Sequence, residues 1–263
     1  MSRIIDFHCH IYPEKIAAKA VKNIGDFYNI EMNRKGTAED LIEISSKCGI
    51  NNMIVHSTAT KAEQVESIND FIVSEVEKYS QFIGFGTLHP DYADTEKEIE
   101  RMVKSGLKGI KIHPDFQMID IDDEKMYKIY EILDNRLPIL FHVGDQTKDF
   151  SNPAKLKKMV EDFPKQQVVA AHLGGYSVWE DAAEILKGYE NIWVDTCSSF
   201  AFLSDREIIK YMEVYGYDKV LFATDFPMWN ADVELERLEN LCISDDKMER
   251  ILYKNAEKLL NLA

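Results

Sequence analysis

Residues 4–13 read IIDFHCHIYP. The stretch is short and apolar, and it sets two histidines on either side of a cysteine. In an extended chain the side chains alternate, so His8 and His10 project from one side and Cys9 from the other. A pair of imidazoles at a strand end is suited to share a metal ion, provided the rest of the chain brings further ligands to it.

Seven more runs of the same kind follow. Together the eight are RIIDF (3–7), NMIVHS (52–57), FIGFGTL (82–88), LKGIKIH (107–113), LPILFHV (137–143), QVVAAHL (167–173), NIWVDTC (191–197) and KVLFATD (219–225). Continuous runs of Val, Ile, Leu and Phe predict strands buried on both faces of a parallel sheet. Amphipathic helices are predicted between them. The helix from Thr37 to Gly49 has a cap residue at its start and glycine at its end. Asn152 and Pro153 open another, and Ser204 with Glu207 has capping-box spacing in a helix closing at Gly216. Residues 245–262 predict a terminal helix, and the long first crossover, 11–51, leaves room for an extra helix near 14–24. No repeat or linker divides the chain, so residues 1–263 are expected to form a single domain. Eight strand–helix units in 263 residues predict an α/β fold of the (β/α)8 (TIM) barrel type, typically roughly 250 residues long. A doubly wound sheet is the alternative, but its glycine-rich phosphate loop is missing where HCHIYP stands.

The seven histidines then fall into a pattern. His8 and His10 follow strand 1, His56 ends strand 2, His89 follows strand 3, and His113, His142 and His172 end strands 4, 5 and 6. All lie on the face of a barrel that carries active sites. Strand 8 ends in ATDFP, and closure brings Asp225 beside strand 1. His8, His10, His142 and Asp225 are therefore expected to hold one divalent metal, for which Zn2+ suits a set of three imidazoles and a carboxylate. His172 is placed as a further ligand or a proton shuttle.

These residues resemble the amidohydrolase superfamily, in particular the amidohydrolase-related group that contains aminocarboxymuconate-semialdehyde decarboxylase. The matching pieces are DFHCHIYP, GIKIHP, FHVGD, AHLGG, VDT and ATDFP, with NAEKLLNL resembling the closing helix. The resemblance implies His8, His10, His142 and Asp225 as metal ligands and His172 as a second-sphere acid/base, with Asp225 also able to take a proton from metal-bound water. TatD-type nucleases share the first HxH but expect a Glu where this chain has KIH. The polymerase-and-histidinol-phosphatase group expects ligands that have no counterpart here. In two-metal amidohydrolases a strand 4 lysine is carboxylated. Lys111 and His113 share parity and both face inward, and a single metal with Lys111 and His113 as substrate-side groups is the reading adopted.

Bland roles account for other residues. His56 reads as a hydrogen-bonded core histidine, and His89 as a strand end before proline. Cys9 and Cys197 read as small hydrophobes in core strands. Gly174 and Gly175 read as a turn. Trp179 and Trp193 read as packing, whereas Trp229 is expected to wall the substrate pocket.

The expected function is a metal-dependent hydrolase, in which metal-activated water attacks the carbonyl carbon of a small amide, ester or lactone. The alternative is a non-oxidative decarboxylase or hydratase of a small carboxylic acid. A decarboxylase calls for a cationic clamp, and of the few arginines only Arg34 falls in an expected lid loop, which tilts the reading to hydrolysis. A non-catalytic metal-sequestering protein is a third reading. The net charge of −15 without a basic run argues against nucleic acid as a partner. The four cysteines form no CxxC pair, and no basic leader or transmembrane-length run is present. No membrane partner and a cytoplasmic location are the expectation. A homodimer is suggested only by the habit of the family.

Overall fold

All eight runs become parallel strands that pair in sequence order: β1 Ile5–His10, β2 Asn52–His56, β3 Phe82–Thr87, β4 Gly109–Ile112, β5 Ile139–Phe141, β6 Val168–Ala170, β7 Ile192–Asp195 and β8 Val220–Leu221. This computed structural model describes residues 3–262. The ring closes where β8 returns to β1. There Phe7 N–H donates to Phe222 O at 2.9 Å and His10 N–H to Phe226 O at 2.7 Å, around a parallel bridge of Cys9 with Phe226. The fold is a (β/α)8 barrel, as expected.

Most strands are shorter than the apolar runs that announce them, β8 most of all. Its backbone is occupied elsewhere. Phe222 N–H donates at 2.9 Å to the carbonyl of Ile251, and Asn255 Nδ2 donates at 2.7 Å to Val220 O. Ile251 lies in a π-helical turn, Arg250–Lys254, inside the terminal helix that runs from Asp245 to Leu260. Such a turn frees a carbonyl from the regular ladder. The apolar side of that helix, Ala256, Leu259 and Leu260, joins the barrel-interior cluster with Ile5, Phe7 and Leu221. Those residues stop the bottom of the barrel.

Inward and outward residues alternate as the pleat requires. On β4, Ile110 and Ile112 pack in the layer between sheet and helices, while Lys111 and His113 line the inner cavity. One irregularity matters. Asp6 pairs with Met53 and Cys9 with Val55, so β1 carries one extra residue between them, a β-bulge. The bulge lets Phe7 fill the barrel interior against Phe85 while His8, the next residue, also reaches the cavity above. Cys9 packs outward.

The predicted caps are in place. Thr37 accepts from Asp40 N–H ahead of the helix Ala38–Cys48, Asn152 caps Pro153–Asp162, and Ser204 and Glu207 cap each other in Asp205–Tyr215. The extra helix of the first crossover, α1, spans Glu14–Tyr28, longer than expected, and its far end reaches the site. Among the described residues no helix is long and apolar enough to cross a membrane.

Two stability predictions follow from the packing. A Cβ on Gly109 would come within 2.4 Å of the Phe85 ring, which is fully buried and cannot retreat. Gly109→Ala is expected to cost about 1–3 kcal/mol by overpacking, read as a lower denaturation midpoint; an unchanged midpoint would mean the interior is looser than described. Glu234, on the helix Ala231–Asn240, is buried with its Oε2 unpartnered, and its carboxyl is pushed up from 4.5 to about 8, mainly by burial, with Asp225 and Asp6 adding repulsion. The folded state thus keeps a proton that the unfolded state releases above its ordinary value. This stabilisation is full below about pH 4.5 and is lost as pH rises through about 8. Glu234→Gln should flatten the fall in stability between about pH 4.5 and 8, measured by denaturant titration at each pH.

Candidate metal centre and active site

The strand ends deliver a closely spaced polar cluster. His8 Nε2 lies 3.2 Å from His10 Nε2 and 3.6 Å from Asp225 Oδ1, and His10 Nε2 lies 3.5 Å from that same oxygen. Lys111 Nζ is 3.0 Å from His8 Nε2. His142 stands one residue further round, its Nδ1 2.9 Å from His172 Nε2, and His172 Nδ1 is 4.0 Å from Asp225 Oδ2. All are buried. His172, Asp225 and the neighbouring Ser198 adopt positive φ (62°, 59° and 53°), a conformation that costs non-glycine residues on the order of 1–3 kcal/mol and tends to gather at functional sites.

The donor set fits a divalent ion. Ligands about 2.1 Å from one ion stand about 3.0–3.4 Å apart, close to the spacing of the two histidine nitrogens and the Asp225 oxygen. The His8 ring is also turned correctly. His8 Nδ1 faces Asp195 Oδ2 at 2.8 Å and must carry the proton, which leaves the Nε2 lone pair toward the cluster. His142 Nε2 faces the carbonyl of Gly144 at 3.1 Å, and its Nδ1 is turned to His172 Nε2 at 2.9 Å rather than to the His8–His10–Asp225 group. Burial holds the imidazoles of His8, His56, His113 and His142 well below their ordinary pKa, and neutral rings are what a metal requires. Burial also works to raise Asp225, but His8, His10 and His172 outweigh it and keep the carboxyl ionised.

His56 departs from the expectation of a satisfied core residue. It is fully buried, packs edge-on against His8 and His10 with ring centroids 4.9 and 4.4 Å away, and neither of its ring nitrogens has a hydrogen-bond partner. One of its nitrogens lies within 4.8 Å of nitrogens on His8 and His10, which makes it a further candidate ligand. Cys197 also differs from its expected role. Its Sγ touches His8 Nδ1 at 3.2 Å and His172 Nδ1 at 3.1 Å, and donates to Asp195 Oδ1 at 2.9 Å. Asp195 itself, quoted in the sequence only as part of VDT, also accepts from His172 N–H at 2.8 Å and so joins both histidines.

A narrow pocket, with a cavity volume of about 30 Å³, opens above the cluster. Lys111 and His113 line it. The His113 ring is sandwiched between Phe116 and His142, at 3.7 and 4.0 Å. Tyr28 from α1 forms the roof, its hydroxyl 2.9 Å from His113 Nε2, and Tyr176 closes the side. Trp229 is not among the lining residues. Its indole N–H donates at 2.9 Å to Ser198 Oγ, which donates at 2.6 Å to Asp225 Oδ2, so it acts from behind the carboxylate. Trp179 holds the backbone of His172 through its carbonyl at 2.8 Å. His89 caps a turn, accepting from Asp91 N–H, and Arg34 is paired with Asp40 away from the pocket. Tyr28 was not singled out from the sequence because no strand announces it; the long crossover was its only signal.

A family model described as Amidohydrolase matches residues 5–262, and the chain belongs to that family. A γ-resorcylate decarboxylase from Polaromonas sp. is 22% identical, over 84% of this chain and 86% of that protein. Among solved structures, an uncharacterized TIM-barrel protein from Bordetella bronchiseptica superposes with a TM-score of 0.80 at 21% identity, covering 98% of each chain. A 5-carboxyvanillate decarboxylase from Novosphingobium aromaticivorans, complexed with manganese, gives 0.80 at 18% identity over 99% of this chain and 96% of that one. A dihydroxybenzoic acid decarboxylase from Polaromonas sp., with manganese and 2-nitroresorcinol, gives 0.79 at 19% over 100% and 98%.

Asp195→Asn tests the ring orientation. Loss of the anionic acceptor at His8 Nδ1 is expected to weaken divalent-metal affinity about 10–100-fold with the fold intact, measured by competition with a chromogenic chelator. Unchanged affinity would mean that His8 is not turned by Asp195 toward an ion.

Proposed function

We propose that the chain is a metal-dependent, non-oxidative decarboxylase of a small aromatic carboxylic acid. The observation that carries this reading is the one-ended polarity of the pocket. Its floor holds imidazoles, Asp225 and the buried amine of Lys111, while Tyr28, Phe116, Tyr176 and the stacked His113 make walls suited to a flat ring. Lys111 also removes the ground on which hydrolysis was favoured, the scarcity of arginine: a lysine at the floor can draw the carboxylate that an arginine would clamp. The decarboxylases among the similar proteins support the same reading.

A divalent ion held by His8, His10, His142 and Asp225 would supply positive charge for the acid's carboxylate and a neighbouring phenolic oxygen. The softness of the donors suits zinc, whereas two solved neighbours hold manganese, and manganese is the ion to load first. The chain's own residues do the rest. Lys111 orients the carboxylate and the aromatic walls fix the ring plane. The bond from ring carbon to carboxylate breaks, its electron pair takes up a proton that solvent supplies through the neutral His172 ring to form C–H, and carbon dioxide leaves. In this reading His172 hands that proton over with Asp225 beside it, and Ser198 and Trp229 fix Asp225. Burial lowers His172 to about 4, so it is a neutral ring that relays a proton rather than storing one. The enclosing rings keep bulk water from the carbanionic carbon.

Manganese-loaded protein is expected to release carbon dioxide from 2,6-dihydroxybenzoate or 5-carboxyvanillate, trapped and counted. Lys111→Met should lower kcat/KM by about 10–150-fold, the worth of about 1.5–3 kcal/mol for a charge-assisted hydrogen bond. Hydrolysis of an ester, amide or lactone panel without carbon dioxide release from any acid would overturn the reading.

A further inference from the structure

A second cavity adjoins the catalytic pocket. His10, Ile24 and Phe116 line the pocket and also line this larger cavity of about 720 Å³. This cavity lies between α1 and the segment that follows β2 into the helix Val65–Lys78. Ile16 and Phe27 of α1, Ile68 and Phe71 of that helix and Met118 give it an apolar surface. Ile16, Phe27 and Met118 are 51%, 41% and 74% exposed, and they are three of the six large apolar side chains exposed among the described residues. Exposed apolar groups scattered singly need no explanation, but groups gathered in one concavity mark a binding surface. The cavity is not uniformly greasy. Thr58 Oγ1 and the carboxylate of Asp115 line it and are buried without a hydrogen-bond partner.

We propose that this cavity is the second compartment of the active site and receives an apolar arm of the substrate. The substrate is then an acid in two parts: a compact carboxylated head beside His10 and an alkyl or aryl extension reaching toward Phe27 and Met118. The proposal rests on the reading of the site as one for organic acids. Adjacency selects this occupant, because the same three residues wall both spaces and His10 is a member of the ligand cluster. Size agrees, since about 30 Å³ is free in the inner pocket and about 720 Å³ in the second cavity.

The test is calorimetric binding of benzoate and its 4-ethyl, 4-butyl and 4-hexyl derivatives to the manganese-loaded protein. Affinity is expected to rise about two- to fourfold with each methylene, the return for moving apolar surface out of water. Ala20→Trp, which fills the cavity from α1, should abolish that gain and leave benzoate binding unchanged. Ile16→Asp, at an exposed position that the fold tolerates, should weaken the hexyl derivative alone. Equal affinity along the series, or no binding by any member, overturns the proposal. So does a dimer in solution that Ile16→Asp dissociates and that shields the cavity, because a second copy would then be its occupant. Carbon dioxide release is followed separately, on 2,6-dihydroxybenzoate and 5-carboxyvanillate: a chain-length gain in the benzoate series without release from these acids keeps the compartment and removes decarboxylation.

Discussion

Everything at the site depends on the seam where β8 meets β1. Two backbone hydrogen bonds and the Cys9–Phe226 bridge close the ring there, and the Asp6 carboxylate reinforces them by accepting from both the backbone and the hydroxyl of Thr224. The seam does more than hold the barrel shut. It sets Asp225, which leaves β8 in a left-handed conformation, against the two histidines of β1. Separate those strands and no local structure remains that could bring a carboxylate to the imidazoles.

The bulge in β1 is the second constraint. A regular strand alternates, and alternation alone would force a choice between a hydrophobic Phe7 and a ligating His8 inside the barrel. One inserted residue lets consecutive side chains serve both the dry lower interior and the polar upper cavity. Above that level the interior is a network of buried nitrogens and oxygens held mostly neutral by desolvation. Asp225 is kept charged by the rings around it. Asp195 anchors the network by accepting hydrogen bonds from His8 Nδ1 and from the backbone N–H of His172.

Much of this architecture was legible in the sequence because a parallel barrel writes itself plainly. Strands buried on both faces demand unbroken apolar runs, and catalytic groups must sit where those runs stop, so His8, His10, His142, His172 and Asp225 stand out together. Parity also put Lys111 and His113 inward, as found. Other features have no such signature. The ends of β8 depend on a π-turn thirty residues away. The bulge leaves no mark in IIDFHCH. Cys197 looks like any buried cysteine until its neighbours are known, and Trp229 lies beside the right motif yet behind the carboxylate rather than in the pocket. Tyr28 comes from a crossover helix whose docking against His113 is wholly tertiary. The choice of hydrolysis rested on counting arginines alone and left out Lys111, the buried amine already placed on the inward side.

The Asp6–Thr224 contact joins residues 218 positions apart. During synthesis the opening histidines emerge long before the aspartate that completes their cluster, and until then they are an ordinary exposed pair with only feeble hold on an ion. The proposed cage is therefore a property of the finished ring and never of the nascent chain, since the carboxylate meets the imidazoles only once the seam has closed.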